Sequence, residues 1–355
     1  MSLMTPEAPP KIGQHRFNIL SPTREGVVEP TIFWVQKEPE PVIPVKKGYR
    51  TIRLSSIPNL LERLQGIENG VASTAITPED LLAREEGTQL HRLYALGKFL
   101  QLGGTPEALP YCFPTLKPDS PEMKWMQEAV VQNDLVSLWQ RIMTKAEADL
   151  RASQPLFIQP ESGISFDELY SLWRASDCLK RGHQLVERLE LFSHLVPHET
   201  EERADKLYFE TGVICFIPEL KLIVICRFDE LASTRKRGEK RLTFAIDFKS
   251  GKKPDEFSET DLVYPTLMTM IAERVTTRHL MRGGISPGSG YVPVSMGHFL
   301  SKAFIGRATT VFRYGEGGRL FHIPPWPSSL KVREQVFKLL QSWAVQMKEL
   351  NITKI

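Results

Sequence analysis

Residues 225–253 read ICRFDELASTRKRGEKRLTFAIDFKSGKK: an apolar run reaches Asp229, a basic turn follows, and a second apolar run closes on Asp247-Phe248-Lys249. Side chains alternate across a strand, so residues two apart share a face. In the second run Leu242, Phe244, Ile246 and Phe248 therefore form one apolar face. Thr243 and Ala245, both small, lie on the other, and Asp247 and Lys249 continue that side. In the first run Leu222, Ile223, Val224, Ile225 and Cys226 precede Asp229, which predicts a strand buried on both faces. If the two strands pair through the turn at Ser233–Lys240, Asp229 and Asp247 meet near one edge of the sheet.

Two converging carboxylates repel one another unless a divalent cation lies between them. A hard cation there can hold a phosphate and acidify a water, and a lysine two residues away can reach the water or the phosphate charge. A surface salt bridge on a strand gives the same D-x-K pattern. What separates the two readings is the aspartate eighteen residues upstream, at the end of an apolar strand, with small residues behind the D-x-K.

Outward from this pair, Tyr208–Ile217 predicts another strand, joined to Leu222–Phe228 by a tight Pro-Glu-Leu-Lys turn. Helices are expected from Ser55, over Pro78–Leu102, over Pro121–Leu150 and over Ser165–Leu195. The last has Glu168 three residues after a capping Ser165. Ser258–Met281 is helical, Ala308–Ile323 is a hairpin turning at Gly-Glu-Gly-Gly, and Ser329–Leu350 is an amphipathic closing helix. The proline-rich, charged start carries one expected strand at Thr31–Gln36.

The expected fold class is α/β: a central mixed sheet with an antiparallel meander, flanked by helices, plus a helical N-terminal subdomain. Its parts are a proline-rich extension over 1–50, a helical region over 51–205, a core carrying both aspartates over 206–285, and a hairpin and helix over 286–355 belonging to the same domain.

Composition narrows the chemistry. The chain of 355 residues is 41% hydrophobic and 25% charged, as in ordinary globular proteins. Its net charge of +3 is too small for an overall polyanion-binding surface, so nucleic-acid contacts would come from local clusters. Cys112, Cys178, Cys215 and Cys226 lie far apart with no CxxC, which argues against cysteine-held zinc or iron–sulfur sites and for reduced thiols. No apolar run is long enough to span a bilayer, and the N-terminus lacks signal-peptide or transit-peptide character. The expectation is an intracellular protein without a membrane partner. The glycine-rich GGISPGSGY from Gly283 has neither Walker spacing nor G-x-G-x-x-G, so no nucleotide cofactor is expected. Trp125, Trp139 and Trp173 sit at helical spacing and are expected in the core.

FDEL…AIDFKSGK resembles the paired motifs of the RecB-like branch of the PD-(D/E)XK nuclease superfamily. There, a G-R-I-D-like strand is followed by an I-D-Y-K-T-G-K-like strand. The close likeness covers about thirty residues, and the order of the remaining elements fits along about two-thirds of the chain. The resemblance implies a restriction-endonuclease-like fold and Asp229 and Asp247 as metal ligands. It further implies the Phe248 carbonyl as another ligand and Lys249 as the catalytic lysine. Ser250, Gly251 and Lys252 match the T-G-K tail.

The family's upstream helical histidine has two competing positions here. His91, in EEGTQLHRLYAL, follows Gly87 and Thr88 in the family's G-T-x-x-H-x-x-L manner and is preferred; His183, in KRGHQLVERLEL, is the alternative. Glu210 in YFETGV is the candidate for an additional catalytic carboxylate, with Glu199 in reserve. The family's Q-x-x-x-Y helix is represented by Tyr264, with no glutamine at a matching place.

The implied function is a Mg2+- or Mn2+-dependent deoxyribonuclease without an iron–sulfur cluster. It would carry out exonuclease-like processing in DNA repair, recombination or mobile-element biology, on single-stranded DNA or DNA with free ends. Arg235, Lys236, Arg237, Ser250, Lys252 and Lys253 are the candidate nucleic-acid contacts. Two alternatives share the core: a non-catalytic DNA-binding or assembly component of a larger protein complex, and a sequence-specific endonuclease.

Overall fold

A computed structural model of the protein describes residues 11–12, 17–18, 48–59, 78–154, 165–191, 204–234, 241–250, 262–300, 307–316, 319–326 and 329–350. The expected strand at 31–36, the helix beyond residue 59, Glu199, the turn with Arg235, Lys236 and Arg237, and the tail with Lys252 and Lys253 lie outside the described residues.

The strands are β1 (Lys11–Ile12), β2 (Phe17–Asn18), β3 (Arg50–Arg53), β4 (Ala204–Ile217), β5 (Leu222–Thr234), β6 (Leu242–Lys249), β7 (Val292–Ser295), β8 (Ala308–Glu316) and β9 (Arg319–Trp326). The helices are α1 (Pro78–Gln101), α2 (Leu109–Cys112), α3 (Pro121–Val131), α4 (Leu135–Ser153), α5 (Phe166–Ala175), α6 (Cys178–Leu191), α7 (Val263–Arg278) and α8 (Leu330–Glu349). β1 and β2 form a short antiparallel pair.

The other seven strands form one mixed sheet in the order β7-β4-β5-β6-β8-β9, with β3 paired to β5 off that path. β4, β5 and β6 are the expected antiparallel meander, whereas β7, β3 and β8 add in parallel. The protein is thus α/β, an open mixed sheet flanked by helices. Among the described residues no helix is long and apolar enough to cross a membrane.

Each face of the sheet has its own core. On one side α1 and α3–α6 cover Leu207, Phe209, Ala232 and Phe248, burying Leu93, Phe99, Trp139 and Trp173 between them. On the other, α7 and α8 cover Val213, Val224, Phe228 and Ala245. In α8 the buried residues Val336, Leu340, Trp343 and Met347 form a stripe at helical spacing. Each is worth about 1.5–3 kcal/mol buried, so packing outweighs the Ser329 cap at about 1 kcal/mol. Helix α7 also reaches the sheet through hydroxyls: Thr276 donates to Thr243 at 2.6 Å, and Thr269 and Thr310 share a hydrogen at 2.7 Å.

Several expected boundaries shift. The helix expected over 121–150 is two helices, because Asn133 takes a left-handed φ of 48° and the Asp134 carboxylate caps the amides of Val136 and Ser137 at 3.0 and 3.2 Å. The stretch over 165–195 also breaks, at Ser176, whose extended backbone ends α5. In both cases the apolar spacing runs on across a capping residue, which hides the break. Ser165 does cap α5, accepting from the Glu168 amide at 3.0 Å. Ser55 lies within a 3-10 helix, Leu54–Asn59.

From Gln89 to Leu100 every residue of α1 is buried except half-buried His91. One turn earlier, buried Glu85 is held up at a pKa of about 7 by burial, against the lowering pull of the Gln89 amide bond and Arg92. Its folded value lies above the unfolded one, so its contribution is full below 4.5 and is lost as pH rises through about 7. At about 1.4 kcal/mol per unit, the loss is on the order of 3 kcal/mol. Glu85→Gln is therefore expected to raise the melting temperature at pH well above 7 and to leave it unchanged near pH 4.5. A variant whose melting curve follows the wild type at both ends would refute the buried-acid assignment.

Candidate metal centre at a strand fork

β5 and β6 pair from Thr234↔Leu242 to Glu230↔Ile246 and then part company. β6 continues through Asp247, Phe248 and Lys249 with β8 as its partner, while the far end of β5 is taken up by β3 at Leu222–Ile225. Residues 226–229 therefore line the mouth of a fork. Asp229 spans it: its Oδ2 accepts the Phe248 amide at 2.6 Å, replacing the backbone bond that the diverging strands no longer make.

Two strands of the meander, β4 and β5, change face at this level. On β4, Tyr208 belongs to the α7–α8 core and Leu207 and Phe209 to the helical-layer core, yet Val213, Cys215 and Ile217 return to the Tyr208 side. On β5, Val224, Cys226 and Phe228 share a side with Leu231. Strict alternation would put each pair of groups on opposite sides. The register survives, with Phe209↔Glu230 and Thr211↔Phe228 on either side of the change. The pivot is Glu210, whose φ of 47° is left-handed within a strand. As a result Asp229 and Glu230, neighbours in sequence, both meet helix α1.

His91 Nδ1 lies 3.2 Å from Asp229 Oδ1. With Glu210 these residues form a compact group whose ligand atoms lie within 4.8 Å of one another. Glu210 Oε2 faces Arg227 Nε at 3.6 Å, and its Oε1 is a buried atom without a hydrogen-bond partner among the described residues. The His91 ring also rests edge-on against Phe248, centroids 5.0 Å apart.

Asp247 lies outside the compact group. It stays in the regular alternation of β6 and faces α7, where Tyr264 donates to its Oδ1 at 3.1 Å and Lys249 Nζ lies 2.8 Å from its Oδ2. The Lys249 ammonium sits 4.7 Å from the centre of the Tyr264 ring. Of the expected pair, Asp229 is turned by the shift of face toward His91 and Glu210, while Asp247 is held by Tyr264 and Lys249. Phe248 also contributes its amide, which donates to Asp229 Oδ2.

Electrostatics tie the two halves together. Burial alone would lower the His91 pKa, but the Asp229 carboxylate, with Glu210 behind it, lifts it above the usual imidazole value. Burial would raise Asp229, yet His91, Lys249 and the Phe248 amide together hold it below the ordinary carboxylate range. Asp247 is raised by burial and by the Asp229 charge, against the pull of Lys249. Glu210 is raised by burial, only partly offset by Arg227.

His183, the alternative histidine, lies on α6 and is not in this group. The glycine beside it serves packing: a Cβ on Gly182 would fall 1.9 Å from the Trp139 ring. Ser250 lies against α1, its Oγ 3.6 Å from where a Cβ on Gly87 would stand. All four cysteines are buried free thiols. Sequence reasoning missed Tyr94, Glu230 and Arg313, which form a buried network behind Phe248. The adjacency of Glu230 to Asp229 and the one-turn spacing of Tyr94 from His91 were readable signals; Arg313 had none. Compared with protein-family models and with curated proteins, the chain matches none.

A left-handed backbone is costly for any residue with a Cβ, by about 1–2 kcal/mol, and here it also carries a partly buried carboxylate. Glu210→Gly is expected to stabilise the metal-free protein by about 1 kcal/mol in urea unfolding, since glycine accepts this φ without strain. A midpoint that stays put or falls would show that the backbone at 210 stores no strain.

Proposed function

We propose that the protein is a divalent-cation-dependent deoxyribonuclease on a restriction-endonuclease-like fold, acting on single-stranded DNA or DNA ends. The observation that carries this reading is the convergence of His91, Glu210 and Asp229 within 4.8 Å at the fork, with the Asp247–Lys249 pair beside them. The residues fit a cation on two grounds. Two carboxylates and an imidazole are a donor set for Mn2+ or Mg2+, and the buried Glu210 Oε1 has no hydrogen-bond partner among the described residues.

His91, Glu210 and Asp229 would hold the cation, with Asp247 flanking it. When bound, the cation supplies Lewis-acid polarisation of a phosphate oxygen and a more acidic water. Lys249 is 40% exposed and steadied by Asp247 and the Tyr264 ring, so its ammonium can reach a phosphate. It orients the attacking water and offsets charge developing on phosphorus. Ser250, next along, is the candidate contact for a phosphate oxygen. The Phe248 amide keeps Asp229 aimed across the fork.

A second reading keeps the fold and drops the chemistry, leaving a DNA-binding or assembly component. It is favoured by the Lys249 ion pair, which offsets the Asp247 charge without a cation.

Purified protein with Mn2+ and end-labelled single-stranded DNA separates the two. The nuclease reading expects hydrolysis, reduced about 100-fold or more by Asp247→Ala. DNA retained but uncut, with Mn2+ bound, favours the second reading. Loss of label from one end against discrete bands distinguishes exonuclease from endonuclease.

Because the His91 pKa lies above 6.5, a cation competes with a proton there. Mn2+ affinity is expected to climb as pH rises through the raised His91 value, above 6.5, and His91→Ala to bind more weakly with a flattened profile. Equal slopes for the two proteins would remove His91 from the ligand set.

A further inference from the structure

Behind the fork lies a second charged cluster, built on residues other than the proposed ligands. Glu230 and Arg313 are 0% and 1% exposed, and Tyr94 is equally buried. The Tyr94 hydroxyl donates to Glu230 Oε2 at 2.8 Å, and Arg313 Nη1 donates to the same oxygen at 3.1 Å. Arg313 Nη1 also donates to the Tyr94 hydroxyl. The Tyr94 ring stacks flat on Phe248, centroids 4.7 Å apart and planes within 4°. Phe248 in turn pairs with Arg313 in the β6–β8 register.

These contacts close a ring around the site. His91 and Tyr94 are one helical turn apart on α1. Tyr94 is fixed to Glu230, Glu230 is the chain neighbour of Asp229, and Asp229 returns to His91 at 3.2 Å. Two ligand-bearing elements, α1 and β5, are thus bolted together one turn behind the ligands, with β8 supplying the countercharge.

An ion pair buried this deeply is a poor device for stability, because desolvating both charges offsets most of their attraction. What it provides is direction: a charge-assisted bond holds its partners to tenths of an ångström, where apolar packing would let a helix slide or rotate. The pair is also neutral as a whole, so it positions the site without adding to its charge.

The geometry points to the Tyr94–Glu230–Arg313 network as the positioning element of the His91–Glu210–Asp229 site, setting the separation of His91 from Asp229 and so the cation affinity. This rests on the metal reading above. Its members are positioning residues and touch neither cation nor substrate.

The test titrates Mn2+, by calorimetry or electron paramagnetic resonance, into wild type, a Glu230→Leu/Arg313→Met double variant and Tyr94→Phe. The metal-free double variant is expected to melt at or above the wild-type temperature while its Mn2+ affinity falls about 10–100-fold, as outer-shell losses do. Tyr94→Phe keeps the stacking on Phe248 and is expected to lose less. A folded double variant with wild-type affinity overturns the proposal. Should the double variant not fold, Tyr94→Phe decides: weaker Mn2+ binding at unchanged melting temperature supports positioning, and unchanged binding overturns it. If wild type binds no Mn2+, the metal reading falls by itself. The His91 imidazole NMR signals of the metal-free proteins then decide positioning: altered in the variants supports it, identical overturns it.

Discussion

Asp229 holds the Phe248 amide at 2.6 Å across the gap where two strands separate, and the surrounding arrangement depends on that bond. Strands that diverge leave backbone donors without partners, and a buried amide must find an acceptor. Here a carboxylate supplies it, which fixes the side chain's direction and leaves its second oxygen toward His91. The carboxylate stays charged despite burial because an imidazole, an ammonium and an amide surround it. One structural necessity, satisfying the fork, thus also aims a carboxylate at His91.

The kink at Glu210 is the complementary constraint. A strand that alternated without interruption would send residues 208, 210 and 212 to one side and deliver only one acidic residue to α1. The left-handed turn at Glu210 changes face in step with β5, so three acidic residues, Glu210, Asp229 and Glu230, cluster near α1. Such crowding of carboxylates is unfavourable without countercharge. His91 and Arg227 offset part of it, and Arg313 neutralises Glu230 from below. Strain and charge are concentrated in one place and supported by well-packed apolar layers on both faces, a pattern proteins keep where chemistry or binding needs it.

Much of this was legible beforehand. Alternation in residues 242–249 and the apolar run at 222–226 located two strands, and the third followed from Tyr208–Ile217; all three form the antiparallel meander. The capping Ser165 and Ser329 were readable because a side-chain oxygen accepting a first-turn amide is a local event. The helix breaks at Asn133 and Ser176 were not, since apolar periodicity crosses both. His91 and Glu210 were candidates from pattern, and an Asp247–Lys249 salt bridge was one reading of the D-x-K spacing, but the nearness of His91 and Glu210 to Asp229 and the bond from Tyr264 to Asp247 were invisible. A change of strand face alters which neighbours a residue meets without altering which residues are apolar.

What the sequence determined by itself was local: which stretches are strands or helices, which ends carry acid, and that a lysine follows an aspartate two places on. Periodicity, caps and turn residues act over a few positions, so they can be read in one dimension. Only the tertiary structure decided which acidic groups share a centre, which histidine joins them, and that Tyr94, Glu230 and Arg313 lie behind it. Those facts depend on a register between strands far apart in the chain, a left-handed residue at the pivot and a helix docked on one face, none of which leaves a mark on neighbouring residues.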